Sequence, residues 1–399
     1  MTSASFLFER APVVVIGTAP WSAPWLTEQN LAFALAARHP VLYVEPPQIT
    51  PRRTGSDGLR RLRRERVHGR EVIVFRPVVL PLRSRERSAK LSAPLYRSQV
   101  RGVVSRLGFQ GALMLAGDAR PGIVGAAGER VSSYIVKDWL YDDGSLLGRP
   151  VAELIRERDD ICGRVDVVLA ISASLQESLA GAGIHARLLR HGFHADLAAA
   201  YEHRPPPEYD QIPGPRLVFA GRVDGRLDVG KLRAVADRVP GASIVIIGPT
   251  SPRMSSSDLE LLTSAPNIHL LGARARDALP PYLAHADCLL IPYRDTVWAH
   301  HGSPLKLWDY LYAGPPIVGS GYTVLADYAD FVGFSNDDDD FVAHVNAALG
   351  DGRDAGCAQR RRFALQNTWD VRSVELESIL SAAADAPRHQ TSEPSWVLT

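Results

Sequence analysis

The feature that most constrains this chain is a short, unbroken aliphatic run that recurs along its length and repeatedly stops at glycine. PVVVI (12–16) is followed by Gly17, the turn-forming TAPWSAPW and a helical apolar spacing over 26–38, and VLYVE (41–45) closes the unit. Strand, helix, strand, with no polar alternation inside the strands, is the pattern of a parallel sheet buried on both faces. EVIVF (71–75), ALMLAG (112–117), SSYIVKD (132–138), DVVLAIS (166–172) and RLLRHG (187–192) continue the series. HRPPPEYDQIPGP (203–215) interrupts it, because clustered proline removes backbone donors and favours extended chain. The series restarts with RLVFAG (216–221), SIVIIG (243–248), IHLLG (268–272), CLLIPY (288–293) and PIVGS (316–320), with helical patterns over 231–239, 305–312 and 369–382. The expected fold is α/β, with two Rossmann-like doubly wound domains (residues 1–202 and 216–385), a linker at 203–215 and a mobile tail at 386–399. Such sheets bind ligands at the carboxyl ends of their strands, so two of them facing each other make one central cleft.

Composition and charge narrow the function classes. At 46% hydrophobic and 22% charged, the 399 residues suffice for two cores. No apolar stretch of about 18 residues occurs, and MTSASFLFERAPVVVIG interrupts any signal-like run with charge and proline, so a cytoplasmic location is expected. Cys162, Cys288 and Cys357 are too scattered for a disulfide framework or a zinc site. A net charge of +1 gives no argument for nucleic acid. The arginines between Arg52 and Arg101 could approach anionic lipid at the inner membrane face or a phosphorylated acceptor; the alternative is a solvated helix face and loop. The acidic run at 337–340 reads as a helix cap rather than a metal site, and the pairs His191/His194 and His300/His301 lack a carboxylate at ligand spacing.

The most informative segment is IPYRDTVWAHHGSPLKLWDYLYAGPPIV (291–318). A buried strand ends at Tyr293; after a polar loop, Ser303 and Pro304 read as N-cap and first helical residue. A helix start offers free N–H groups to a phosphate, and Lys306 adds a full charge within the first turn. Asp309 lies near the same helix face, where it could reach a ribose or sugar hydroxyl or simply pair with Lys306 at i,i+3. SPLKLWDYLYAGPPIV resembles the donor-binding segment of bacterial GT-B glycosyltransferases, S-x-K-x-x-E-Y-x-A-x-G-x-P-x-V. PNIHLLGARARDALPPYLAHADCLLIPY, RLVFAGRVDGRLD and SIVIIGP are similar to other parts of the same family, most closely to enzymes of surface-polysaccharide assembly of the teichuronic acid and xanthan type.

The resemblance implies a transferase acting on a nucleotide diphosphate sugar, with UDP as the nucleotide and GDP as the alternative, and no further cofactor. It implies that Ser303 and Lys306 contact the diphosphate, that Tyr293 borders the nucleotide, and that Asp309 stands where the family usually has glutamate. Arg222 matches a family phosphate contact, with Arg226 competing in the same loop. Gly17, Gly221, Gly248 and Pro304 complete the expected donor set, although a glycine at a strand end such as Gly17 also serves a turn. On the acceptor side stand Trp21, Trp25, Gln29 and His191, near Glu28; the tryptophans could equally be core. Asp138, at the end of SSYIVKD, is the expected general base, with Asp118, Asp142 and Asp143 as rivals and helix capping as the structural alternative. A sugar-nucleotide 2-epimerase and a non-catalytic nucleotide-sugar-binding protein remain as other readings. A dinucleotide dehydrogenase does not, because no GxGxxG follows the first strand.

Overall fold

A computed structural model describes residues 10–49, 61–79, 85–139 and 150–385. In chain order the first part contains β1 (Val13–Ile16), β2 (Val41–Val44), β3 (Gln48–Ile49), β4 (Leu62–Val67), β5 (Arg70–Phe75), β6 (Val78–Val79), β7 (Leu113–Ala116), β8 (Val131–Val136), β9 (Val167–Ala170) and β10 (Ala186–Leu188). Eight of these form one sheet in the order β10-β9-β8-β7-β1-β2-β5-β4, and β3 pairs with β6. The second part contains β11 (Arg216–Ala220), β12 (Ser243–Ile247), β13 (Ile268–Gly272), β14 (Cys288–Pro292), β15 (Ile317–Ser320) and β16 (Val332–Phe334), in the order β13-β12-β11-β14-β15-β16. The central strands β1, β7, β11 and β14 are parallel to their neighbours and buried, apart from Arg216 at the start of β11, which is why their sequences carry no alternation. In both sheets the chain order reverses direction beside a central strand, the topological switch where such sheets place their ligands.

The arginine-rich stretch is a strand hairpin over 62–75 rather than helix face or loop, whereas Arg97 and Arg101 lie on the helix Arg85–Leu107. LRRERV pairs antiparallel with REVIVF through a two-residue turn at His68 and Gly69, whose φ values of 44° and 80° are those of a tight hairpin. Its cations are largely engaged. Arg63 and Arg76 both bond the buried Glu45; burial pushes that carboxyl up, but the two guanidinium groups outweigh burial and hold it low. Arg70 reaches Asp370 at 2.7 Å, Arg64 bonds Glu71, and Arg97 and Arg101 donate to the Val124 and Gly125 carbonyls. Arg52 and Arg53 lie outside the described residues. Among the described residues no helix is long and apolar enough to cross a membrane.

The chain does not cross between the two cores at residues 203–215. Pro207–Asp210 is a 3₁₀ turn there, and Tyr209 and Ile212 are buried in the second core, with the Arg216 guanidinium over the Tyr209 ring at 4.6 Å. The crossing is instead made at an isolated parallel bridge between Phe193 and Thr368. Phe193 N donates to Asn367 O and Trp369 N donates to Phe193 O, both at 2.9 Å. Phe193 packs in the second core, whereas Trp369 begins the helix Trp369–Asp385 and packs in the first. Gly192 is required at this point, because a Cβ would meet the Thr368 and Trp369 backbone at 2.7–2.9 Å.

Two buried histidines flank the crossing. His191 Nε2 lies 3.0 Å from Thr27 Oγ1, and His194 stacks on Phe33 with centroids 4.9 Å apart. Burial holds both imidazoles down at about 3, helped by Lys137 and Arg372 near His191 and by Arg276, His68 and Arg70 near His194. Between that value and the ordinary 6.5, the unfolded chain binds more protons, so stability must fall as pH drops through this window. Each histidine contributes a loss of roughly 2 kcal/mol between pH 7 and 5. Urea unfolding should therefore show a lower midpoint at pH 5, and His194→Phe, which keeps the ring contact, should flatten that dependence; an unchanged slope would contradict a neutral buried His194.

Candidate active site

On the second sheet, the carboxyl ends of β11, β12 and β14 converge on one ammonium group. Lys306 starts the helix Lys306–Ala313, and its Nζ donates to Tyr293 Oη at 2.9 Å while lying 3.9 Å from the centroid of the Phe219 ring and 4.9 Å from that of Tyr293. No carboxylate among the described residues forms an ion pair with it. Burial, reinforced by Arg226, pushes its pKa well below the usual lysine range. Gly221 makes room for it, since a Cβ there would run into the ammonium, and Gly248, at φ 153°, packs directly on the Gly221 carbonyl.

The helix begins later than the Ser303–Pro304 reading. Leu307 N donates to Pro304 O at 3.1 Å, so the opening turn is closed by i→i+3 bonds, Leu305 is the cap, and Ser303 lies on the approach to the turn near His191. Asp309 does not pair with Lys306; it accepts from Tyr201 Oη at 3.5 Å, and burial raises its carboxyl despite the nearby Arg276. Of the two loop arginines, Arg222 is exposed, whereas Arg226 is clamped by Asp224 at 2.7 and 2.9 Å and stands over the Trp298 ring at 5.1 Å, on the Lys306 side.

On the first sheet, the strand ends present a second charged set. Glu28, fully buried, accepts from Thr18 Oγ1 at 2.8 Å and from Lys137 Nζ, while its Oε2 has no partner. The carboxylate lies where a side chain at Gly117 would have to be. Asp138 is next to Lys137; its Oδ1 accepts from the indole Nε1 of Trp298, at 3.0 Å, across the cleft. Burial raises the Asp138 carboxyl, against the pull of Lys137, the indole bond and Arg226, while Glu28 pushes the same way as burial. Its rival Asp118 is taken up by Arg120 at 2.7 Å, and Asp142 and Asp143 lie outside the described residues.

Several expected acceptor residues are structural. Trp21 is 5% exposed, packed at an angle between Trp25 and Tyr43, with its backbone N–H held by Glu45. Gln29 uses both ends of its amide locally, accepting from Leu26 N at 3.0 Å and donating to Pro20 O at 3.2 Å. His191 belongs to the crossing, and Gly17 is dictated by the Tyr43 hydroxyl that a Cβ would strike. Trp25 reaches the other domain, lying 5.5 Å from the Arg276 guanidinium, which also bonds Asn30 at 3.2 Å. Arg226, the competitor of Arg222, and Glu28, beside the acceptor set, are charged groups at the cleft, while Lys137, Trp298 and Arg276 are the residues that the expected set lacked. Lys137 and Trp298 sit in its motifs, but only the tertiary pairing shows their direction.

Gly221→Ala and Gly248→Ala should separate two roles. The first meets the flexible end of Lys306, so the melting temperature should hold while nucleotide affinity falls about tenfold or more. The second meets backbone, and should cost on the order of 2 kcal/mol or more of stability in denaturant unfolding. Equal nucleotide affinity in Gly221→Ala and wild type would contradict the placement of the ammonium.

Residues 214–351 match the family described as Glycosyl transferases group 1. The chain is 30% identical over 104 residues to TuaH of Bacillus subtilis (strain 168), by name a teichuronic acid biosynthesis glycosyltransferase, and the match spans 26% of each protein. Among solved structures it is similar to the sucrose-phosphate synthase (tll1590) from Thermosynechococcus elongatus, with TM-score 0.69, 15% identity, and 93% of this chain and 98% of that one covered. It is also similar to the E. coli trehalose-6-phosphate structure bound with UDP-2-fluoro glucose (TM-score 0.66, 12% identity, 93% and 99% covered). A third relative is Anabaena Alr3699/HepE in complex with UDP and glucose (TM-score 0.62, 14% identity, 94% and 100% covered). At such identities the solved structures establish the fold. The chain therefore has the two-sheet GT-B architecture, and its residues 214–351 are similar to the group 1 glycosyl transferases.

Proposed function

We propose that this protein transfers a sugar from a nucleotide diphosphate to a hydroxyl group of a glycan, a lipid-linked or a small-molecule acceptor. The observation that carries the proposal is Lys306: a half-buried lysine whose ammonium has no carboxylate partner among the described residues, at a helix start within the segment that matches the group 1 family, is a site for an anion. UDP is the first candidate nucleotide, because the E. coli and Anabaena relatives are described with UDP-2-fluoro glucose and with UDP.

The chemistry follows from the two charged sets. Asp138, whose carboxyl is raised by burial, takes the proton of the acceptor hydroxyl. The freed oxygen bonds the anomeric carbon while the bond from that carbon to the phosphate oxygen breaks, and its electron pair leaves with the diphosphate. Lys306 and Arg226 face that developing charge, so fixed cations supply the stabilisation. Backside displacement with Asp138 as base inverts the anomeric centre.

The test is release of nucleotide diphosphate from a panel of UDP- and GDP-sugars offered with hydroxyl acceptors. Lys306→Ala should lower kcat/KM roughly a hundredfold or more, and Asp138→Asn should lower kcat with little change in donor KM. Wild-type rates in Lys306→Ala would overturn the assignment. Tight nucleotide-sugar binding without turnover across the panel would favour a non-catalytic binding protein instead.

A further inference from the structure

Trp298 and Asp138 lie 160 positions apart on opposite sides of the cleft, yet their side chains are hydrogen-bonded. Trp298 sits in the short helix Val297–His301, capped by Thr296, on the loop after β14. The first domain grips that helix directly: Ser172 Oγ donates to His301 O at 2.7 Å and Ser174 Oγ to His300 O at 2.9 Å. The indole also belongs to the donor side. It packs 5.1 Å from the Arg226 guanidinium and edge-on to Tyr322 at 5.5 Å; Tyr322 in turn meets Tyr293 at 4.9 Å, whose hydroxyl accepts from Lys306. A continuous row of contacts thus runs from the ammonium to the carboxylate.

We propose that Trp298 is a positioning residue: it carries the state of the donor side across the closed cleft by fixing Asp138 Oδ1, which leaves Oδ2 to face the acceptor hydroxyl. The inference rests on the reading of Asp138 as the base. An indole N–H donates and never accepts, so this contact orients the carboxylate without competing for the proton it is to receive. Because donor and acceptor of the bond lie in different domains, the bond exists only when the domains are closed. Closure and orientation of the base become one event, and a base in an open cleft stays solvated and unaligned.

The groups that face Asp138 are Lys137 beside it, Glu28 on the first helix, Arg226 and Trp298 from the opposite domain, and the Tyr322 phenol, which the Asp138 charge also reaches. Lys137, Arg226 and the indole N–H favour the carboxylate; burial and Glu28 oppose it. Removing the N–H alone therefore makes the carboxyl harder to ionise, and the acid limb of the rate profile moves to higher pH.

The experiment compares wild type, Trp298→Phe, Trp298→Ala and Asp138→Asn, using the best donor from the UDP- and GDP-sugar panel, with pH profiles of kcat/KM and calorimetric affinity for the free nucleotide diphosphate. Trp298→Phe keeps the ring under Arg226, so nucleotide affinity should stay within about twofold while kcat falls roughly tenfold and the acid limb shifts upward. Trp298→Ala should lose nucleotide affinity as well. An unshifted acid limb in Trp298→Phe, with Asp138→Asn inactive, overturns the inference and leaves the base assignment standing. Full activity of Asp138→Asn overturns the base assignment itself. A uniform loss at every pH, matched by a lowered melting temperature, would show that Trp298 only supports packing and would also overturn the inference.

Discussion

The rest of the site is arranged around one unfavourable act: drawing the ammonium of the half-buried Lys306 away from bulk water without giving it a carboxylate. Isolated burial of a charge is expensive, and such a group responds by losing affinity for its proton, as this one does. The protein compensates in part with the faces of Phe219 and Tyr293 and the Tyr293 hydroxyl, contacts that soften the cost without neutralising the charge. Gly221 and Gly248 then follow from geometry, one vacating the volume of the ammonium and the other packing behind it on the same carbonyl. A bound anion relieves the cost that the fold leaves in place, and binding energy is thereby concentrated at the phosphate end of a ligand.

The second constraint is that the two strand-end surfaces must meet. A paired double crossing, Phe193 against residues 367–369, exchanges an aromatic anchor in each direction and holds the domains together while leaving the cleft edges to weaker polar contacts. Those edges carry Arg276 with Asn30, the serine contacts to His300 and His301, and the Trp298 bond to Asp138. Each is a single hydrogen bond contributing about 1 kcal/mol, so opening is inexpensive beside unfolding either core. His191 and His194, buried neutral at the crossing, place a pH-dependent element where the two bodies join.

The sequence shows the strands clearly because parallel strands buried on both faces need continuous Val, Ile and Leu, and the runs at 12–16, 41–45 and 288–293 each contain an observed strand. Asp337 was legible as a cap for a similar local reason, and its Oδ1 accepts from Asp339 N and Asp340 N. Less legible was anything decided by distant partners. Residues 62–75 of the arginine-rich stretch form an edge hairpin in which Glu45 and Glu71 supply counter-charges, and the proline-rich segment was absorbed by the second core through Tyr209 and Ile212. Trp21 and Gln29 look like ligand contacts by type, but Glu45, Tyr43 and Pro20 satisfy them locally. Lys306, Asp138 and Trp298 all lie in visible motifs; the bond by which the indole joins the two domains is not visible there, since no local pattern announces a contact 160 residues away.

The central claim, that Lys306 is held short of its ordinary proton affinity until a diphosphate arrives, is tested most directly by titrating UDP into the protein calorimetrically near pH 8 to 9. Two buffers of different ionisation enthalpy separate proton transfer from binding. The diphosphate's charge should raise the lysine's affinity for its proton, so wild type should take up protons on binding, and Lys306→Met should bind weakly with no uptake. Tight binding by Lys306→Met, or binding by wild type with no dependence on the buffer, would contradict the account.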